Sequence, residues 1–161
     1  MVPLEILKAI HFLHDLPDAH LQELASVAEV VDYPDNSVLF REGQARASIY
    51  LIVDGKVRVE IPIAGKTATG IQTVAAGDLL SWSPLLGSGR MTATARTLSP
   101  VQAVVLNAAQ VLAICQHNTA FGFEFMRRVA RVLAQRLEGT RLQLLDVYRL
   151  DLPMLAEGEQ A

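Results

Sequence analysis

Few side chains in this sequence could do chemistry, and those that could point to binding rather than turnover. Arg90 is the only basic residue between Lys66 and Arg96. A guanidinium there could hold a phosphate or carboxylate, or it could be an ordinary solvated loop arginine. Upstream, Ser83-Pro84 has the form of a helix start, a capping hydroxyl followed by proline at the first helical position. Such a start would aim free N–H groups at an anion. Trp82 offers one N–H donor and no acceptor. It reads either as a buried core residue or as a stacking platform for a planar ligand. Ser81 and Thr92 add hydroxyls to the same stretch.

The remaining candidates are weaker. His11 and His14 share i, i+3 spacing on a helical segment, with His20 nearby; exposed helix histidines account for them without a metal. His117 follows a helical segment and suits its negative C-terminal end. Cys115 reads as packed and inert. Arg127, Arg128, Arg131, Arg136, Arg141 and Arg149 form a basic series near the C-terminus. They could meet nucleic acid or could flank a helix in solvent, with Glu124, Glu138 and Asp146 as partners. There is no Ser/His/Asp elbow, Walker loop, HExxH motif or pair of acids on one helical face. Nothing in the sequence supports an enzyme.

Composition bounds the class. The chain has 161 residues, 51% hydrophobic and 19% charged, with net charge −3. That is enough for one domain with a real core, and the acidic balance argues against a non-specific nucleic-acid binder. A single cysteine excludes an internal disulfide framework and fits a reducing compartment. No basic-then-apolar leader opens the sequence, and no apolar run approaches the ~18 residues of a membrane span. The expectation is a cytoplasmic protein with no membrane contact.

The elements that would position these residues are legible from their patterning. Leu4 to Leu13 has helical spacing, and Asp18 reads as the cap of a second helix over Ala19–Ala28. Val30-Val31-Asp32-Tyr33 opens a β region, with Pro34-Asp35-Asn36 as a turn. From Val38 to Leu106 there are about seven or eight short strands. Asp54-Gly55 reads as a two-residue hairpin turn between Ile49–Val53 and Val57–Ile61. Ala64-Gly65-Lys66, Ala76-Gly77-Asp78 and Ser99-Pro100 read as further hairpin turns. Asn107 is the candidate cap of a helix over Ala108–Gln116, and Asn118 or Thr119 that of a long helix over Ala120–Tyr148. Met126, Ala130, Leu133, Leu137, Thr140, Leu144 and Val147 alternate spacings of four and three, a heptad seam of about three heptads. Asp151 to Ala161 reads as a flexible tail. No internal repeat or low-complexity tract interrupts the pattern.

Phe40, Glu42-Gly43, Tyr50-Leu51-Ile52, Gly55, Val57 and Val59 resemble the first half of a cyclic nucleotide-binding domain. This β-roll module is shared by catabolite-activator and Fnr-type regulators, kinase regulatory subunits and gated channels, and the resemblance extends from about Leu16 to Tyr148. It implies a mostly β fold with flanking α: a double-stranded, jelly-roll-like β-helix with N-terminal helices and a long C-terminal dimerisation helix. The implied domain spans residues 1–150, with a helical lead-in (1–30), a β-roll (31–106) and C-terminal helices (107–150), followed by a tail (151–161).

In the family a Gly-Glu-Leu motif reads the ribose 2′-hydroxyl and a later arginine pairs with the cyclic phosphate. Here Gly77-Asp78 matches the lead-in, but Ser81 stands for the motif's glycine and Trp82 for its glutamate. An indole cannot accept a hydroxyl proton as a carboxylate does, and it is bulky enough to fill the ribose site. The resemblance makes Arg90 the phosphate partner, with Trp82, Ser81, Ser83 and Thr92 around the ligand. It also implies cyclic AMP or another cyclic nucleotide as ligand, and a homodimer through the helix around Met126 to Val147. Some relatives of this fold hold haem, the one ground for an axial role of the histidines. After Tyr148 only about a dozen residues remain, too few for a helix-turn-helix reader, so no direct DNA binding is expected. The function implied is a stand-alone sensor that reports a bound small molecule by moving its dimer helix. The alternatives are a ligand-free protein-interaction or dimerisation module, and a Crp/Fnr-type transcriptional regulator lacking its DNA-binding half.

Overall fold

A computed structural model describes residues 1–45, 48–61, 69–87 and 90–151. The chain opens with helix α1 (Leu4–Lys8), a 3-10 turn (His11–Leu13) and helix α2 (Asp18–Ser26). The single helix expected over Leu4–Leu13 is therefore split, because Ile10 is extended (φ −84, ψ 117). Leu7, Ile10 and Leu13 are nevertheless all buried. The spacing reported a buried stripe, and that stripe survives a break in the helix. Asp18 is the first residue of α2 rather than its cap; Pro17 takes that place, with no side-chain capping bond. The Asp18 carboxylate pairs instead with Lys8 Nζ at 3.2 Å. The helix stops at Ser26 because the chain has already turned extended when it reaches Ala28, the first residue of a strand.

Among the described residues seven strands follow: β1 (Ala28–Tyr33), β2 (Val38–Phe40), β3 (Ser48–Asp54), β4 (Lys56–Ile61), β5 (Thr69–Ala75), β6 (Thr94–Thr97) and β7 (Val101–Asn107). They form a three-stranded sheet ordered β1-β7-β3 and a four-stranded sheet ordered β2-β6-β4-β5, antiparallel throughout. Phe40, Val57, Val74 and Ala95 of the second sheet share one core with Tyr50, Ile52, Val101 and Ala103 of the first. This is a β-roll.

Three expected hairpin turns are corrected. Asp54-Gly55 joins strands that lie in different sheets, so it is a corner. Asp54 stays in β3 and only Gly55 takes positive φ, at 94°. Ser99-Pro100 is the matching corner between β6 and β7. The two corners abut: Lys56 N–H donates to Ser99 Oγ at 3.1 Å, and Leu98 N–H to the Lys56 carbonyl at 2.9 Å. A Cβ on Gly55 would run into the Pro100 carbonyl oxygen. Dipeptide chemistry specifies positive φ but not which sheet the next strand joins. Ala76-Gly77-Asp78 likewise turns, with Asp78 N–H donating to the Ala75 carbonyl at 3.3 Å. It then crosses to the other sheet, where Leu79 bridges Leu51. Ala64-Gly65-Lys66 lies outside the described residues.

Helices α3 (Ala108–His117) and α4 (Thr119–Asp151) are the last described elements. Asn107 caps α3, its Oδ1 accepting from Gln110 N–H at 3.1 Å. Asn118 caps α4 by accepting from Phe121 N–H at 3.2 Å, and its amide donates to Glu23 Oε1 on α2 at 3.3 Å. The chain divides into two compact units, Met1–Met126 and the part of α4 that begins at Arg127. In the first, Phe121 and Phe125 stack at 5.4 Å, and Phe125 meets Phe12 edge-on at 5.6 Å. In the second, Leu137, Leu142, Leu144 and Leu145 are all more than half exposed, and Arg127, Arg131 and Arg141 are solvated. The expected tail beyond Asp151 lies outside the described residues.

The corner geometry predicts that Gly55→Ala destabilises the fold by more than about 2 kcal/mol in urea unfolding, since left-handed strain and a backbone collision add. An open hairpin turn would lose only about 1 kcal/mol, and a loss that small would contradict the corner.

Candidate functional site

The connection from β5 to β6 carries every candidate site residue. Its first part is stitched along β3: Gly77 N–H donates to the Ile52 carbonyl (2.7 Å), Ile52 N–H to the Asp78 carbonyl (3.0 Å) and Leu80 N–H to the Tyr50 carbonyl (2.8 Å). These bonds deliver Ser81, Trp82 and Ser83 to the start of β3, where Ser81 Oγ donates to the Ser48 carbonyl at 3.4 Å. Ser81 and Ser83 are buried. Trp82 is half-buried, between the core and platform readings.

The helix expected to start at Ser83 is a single 3-10 turn, Ser83–Leu85. Ser83 is its first residue, Trp82 occupies the cap position, and no side chain caps it. Two bonds close it, Leu85 N–H to the Trp82 carbonyl (2.9 Å) and Leu86 N–H to the Ser83 carbonyl (3.1 Å). Gly87 then takes φ 134 and ends the turn. One turn aligns too few peptide dipoles to make the anion cradle that a longer helix offers. The cap-and-proline signal was genuine locally, but no helix follows it.

Arg90 and Thr92 lie at the far end of the connection. Arg90 is exposed and its Nη1 donates to the Gly43 carbonyl at 3.0 Å. The loop it sits on is held by further bonds. Gly43 N–H donates to the Met91 carbonyl (2.8 Å), and Met91 N–H to the Gln44 carbonyl (2.9 Å). Gln44 Oε1 accepts from Arg41 N–H at 3.0 Å, and Thr94 Oγ1 accepts from Glu42 N–H at 3.1 Å. Thr92 is exposed, and the threonine that holds the loop is Thr94. Sequence reasoning found the arginine and missed its seat; Glu42-Gly43 entered only as part of the pattern that carries the family resemblance.

The other candidates do not converge. His11 and His14 stack on each other at 6.1 Å, whereas His20 packs edge-on to Phe121 at 5.5 Å. Among the described residues no three His, Cys, Asp or Glu side chains cluster as a metal site requires. Burial pushes the Cys115 thiol above its ordinary value, which keeps it protonated and a poor nucleophile near neutral pH. The Cys115 carbonyl also lies where a Cβ on Gly122 would come within 2.6 Å, so α3 and α4 touch backbone to backbone there.

With this geometry the comparisons agree. Residues 30–118 match the cyclic nucleotide-binding domain family, and the chain belongs to that family. It is 24% identical over 149 residues to the CRP-like cAMP-activated global transcriptional regulator of Mycobacterium tuberculosis; the match covers 92% of this chain and 65% of that protein. Thus the chain spans just under two thirds of that relative. A solved Geobacter metallireducens chain superposes with TM-score 0.75 and 27% identity, covering 85% of this chain and 99% of that one. A cyclic nucleotide-binding domain from Methylobacillus flagellatus superposes with TM-score 0.76 and 22% identity, covering 89% and 80%.

The seat of Arg90 predicts a local effect. Arg90→Ala leaves global stability within about 0.5 kcal/mol, because the residue is exposed. It speeds amide exchange at Gly43 and Met91 about threefold or more, as loss of a charge-assisted bond of modest strength should. Unchanged exchange in NMR would show that the Arg90–Gly43 bond does not hold the loop.

Proposed function

We propose that this chain is a sensor domain for an anionic small molecule with a planar group, with a cyclic nucleotide as the leading candidate. Arg90 carries the proposal. It is an exposed cation in the segment where the family's phosphate-binding arginine is expected, and the Gly43 carbonyl that its Nη1 meets is a neutral acceptor that a phosphate could displace. Trp82 stands where a ribose-reading carboxylate is expected and would stack on the ligand instead. Ser81, Ser83 and Thr92 supply hydroxyls, although Ser81 already donates to Ser48. The Mycobacterium tuberculosis relative is by name cAMP-activated, which makes cyclic AMP the first ligand to test.

A route out of the site supports signalling. Gly77, at the head of the binding segment, accepts from Phe12 N–H at 2.8 Å, and the Phe12 ring packs on Phe125 of α4. A ligand that prefers one position of this segment would shift the helix by no more than its differential affinity allows. We further propose that two copies pair through the Met126–Val147 seam, covering Leu137 and Leu144, and that residues 1–150 act as one regulatory domain in the cytoplasm. Among the described residues no helix is long and apolar enough to cross a membrane. A ligand-free dimerisation module is the rival reading, favoured by the bond Arg90 already makes within the chain.

Thermal-shift titrations with cyclic AMP, cyclic GMP and cyclic di-GMP decide between them. Binding to the folded state must raise stability, by about 2.7 kcal/mol at a hundredfold excess over Kd. The sensor reading predicts a saturable shift with at least one of the three, abolished by Arg90→Ala. Trp82→Glu, which restores the ribose acceptor, should tighten cyclic AMP binding about tenfold, the effect of one charge-assisted bond. No shift with any of the three in either the wild type or a folded Trp82→Glu protein leaves the dimerisation module.

A further inference from the structure

The face of the four-stranded sheet turned away from the core carries an arrangement that stability alone does not explain. Along β4, Val57 and Val59 belong to the core, so alternation puts Arg58 and Glu60 on the opposite face. Across the β4–β6 pairing, Arg58 stands directly opposite Arg96. Like charges directly opposite one another destabilise a sheet. Glu60 offsets part of that cost: its Oε1 lies 3.6 Å from Arg58 Nε and 3.8 Å from Arg96 Nε. One nearly buried glutamate side chain, 11% exposed, thus serves two arginine side chains that are 44% and 36% exposed. It meets both through Nε, which among the described residues leaves the terminal amino groups of Arg58 for an outside acceptor. Arg96 Nη1 reaches only a neutral oxygen, Asn36 Oδ1, at 3.5 Å.

The neighbours in register do not complete the charge balance. Val38 lies beside Arg96, Thr73 beside Arg58 and Thr94 beside Glu60, all uncharged. Within this cluster two arginines and one carboxylate leave a positive balance, on a chain whose net charge is −3. We propose that the Arg58–Glu60–Arg96 cluster is a docking site for side-chain carboxylates of an acidic segment in a protein partner. Guanidinium forks match carboxylates in a bidentate way, and arginine is enriched at protein interfaces. A partner surface can add contacts on a flat sheet, where a small anion would remain solvated and weakly held. The site is separate from the Arg90 segment and does not depend on what that segment binds.

The test uses a fluorescent hexaglutamate peptide and anisotropy on the full chain at low salt, with thermal melts to verify folding. Saturable binding that weakens with salt is expected, and Arg58→Gln and Arg96→Gln should each weaken it about fivefold, the upper end for an exposed ion pair. Glu60→Gln should tighten binding, because it removes the competing carboxylate. A purely structural ion cluster would give no such gain. Lys8→Gln, an equal charge change in the lead-in, should leave binding unchanged. The proposal is overturned if the wild type fails to bind, if the two arginine variants bind as well as wild type, or if Lys8→Gln weakens binding as much as they do. Displacement of the peptide by inorganic phosphate at equal concentration would also overturn it, in favour of a small-anion site.

Discussion

The structure depends on what happens at Gly77. Its carbonyl accepts from Phe12, its N–H donates to Ile52, and its φ of 94° lets the chain turn from one sheet onto the other. A Cβ there would sit 3.1 Å from His11 Cβ, so any larger residue would press on the lead-in as well as strain the positive φ. Three parts of the molecule meet at this residue: the helical lead-in, the buried strand β3 and the segment that bears Trp82 and Arg90. From Phe12 the contact continues to Phe125 and Phe121, and from Phe121 to His20 on α2. In the proposed function this chain of backbone bonds and packed rings is the path by which a shift of the Trp82–Arg90 segment would reach the helices.

The site itself is held by backbone chemistry more than by side chains. The β2–β3 loop is hydrogen-bonded to Met91 in both directions, and Arg90 rests on it. In the proposed site an incoming anion would have to offer Arg90 more than its contacts within the chain do, the Gly43 carbonyl among them, and only the surplus would appear as affinity. A charged acceptor satisfies that condition, since charge-assisted bonds are roughly twice as strong as neutral ones. Trp82 sets a complementary limit. An indole rewards flat apolar surface and cannot accept from a hydroxyl; in the proposed site that would favour a nucleobase or similar ring over a sugar.

Much of the fold was legible because its signals are local. Asn107 and Asn118 cap the helices expected of them, and the run Ile49–Val53 is a strand buried as an apolar run should be. The failures share one cause, that short patterns are silent about distant partners. Gly55 announced positive φ but not that its neighbour would be the Ser99-Pro100 corner. Ser83-Pro84 announced a helical start but not a stop at Gly87. Arg90 stood out as the one cation in its stretch, whereas its seat on Gly43 lies 47 residues away in sequence, and the Thr94–Glu42 bond spans 52. No pattern within a window of that stretch could have found either.

Trp82 is the chain's single tryptophan and lies in the proposed site, so its emission reports on that site alone. The most direct measurement is a fluorescence titration of the full chain with cyclic AMP, repeated with Arg90→Ala. The account predicts a saturable change in Trp82 emission that the Arg90 variant loses. A binding isotherm that leaves Trp82 emission unmoved, or one that Arg90→Ala does not alter, would place the ligand elsewhere and contradict the site.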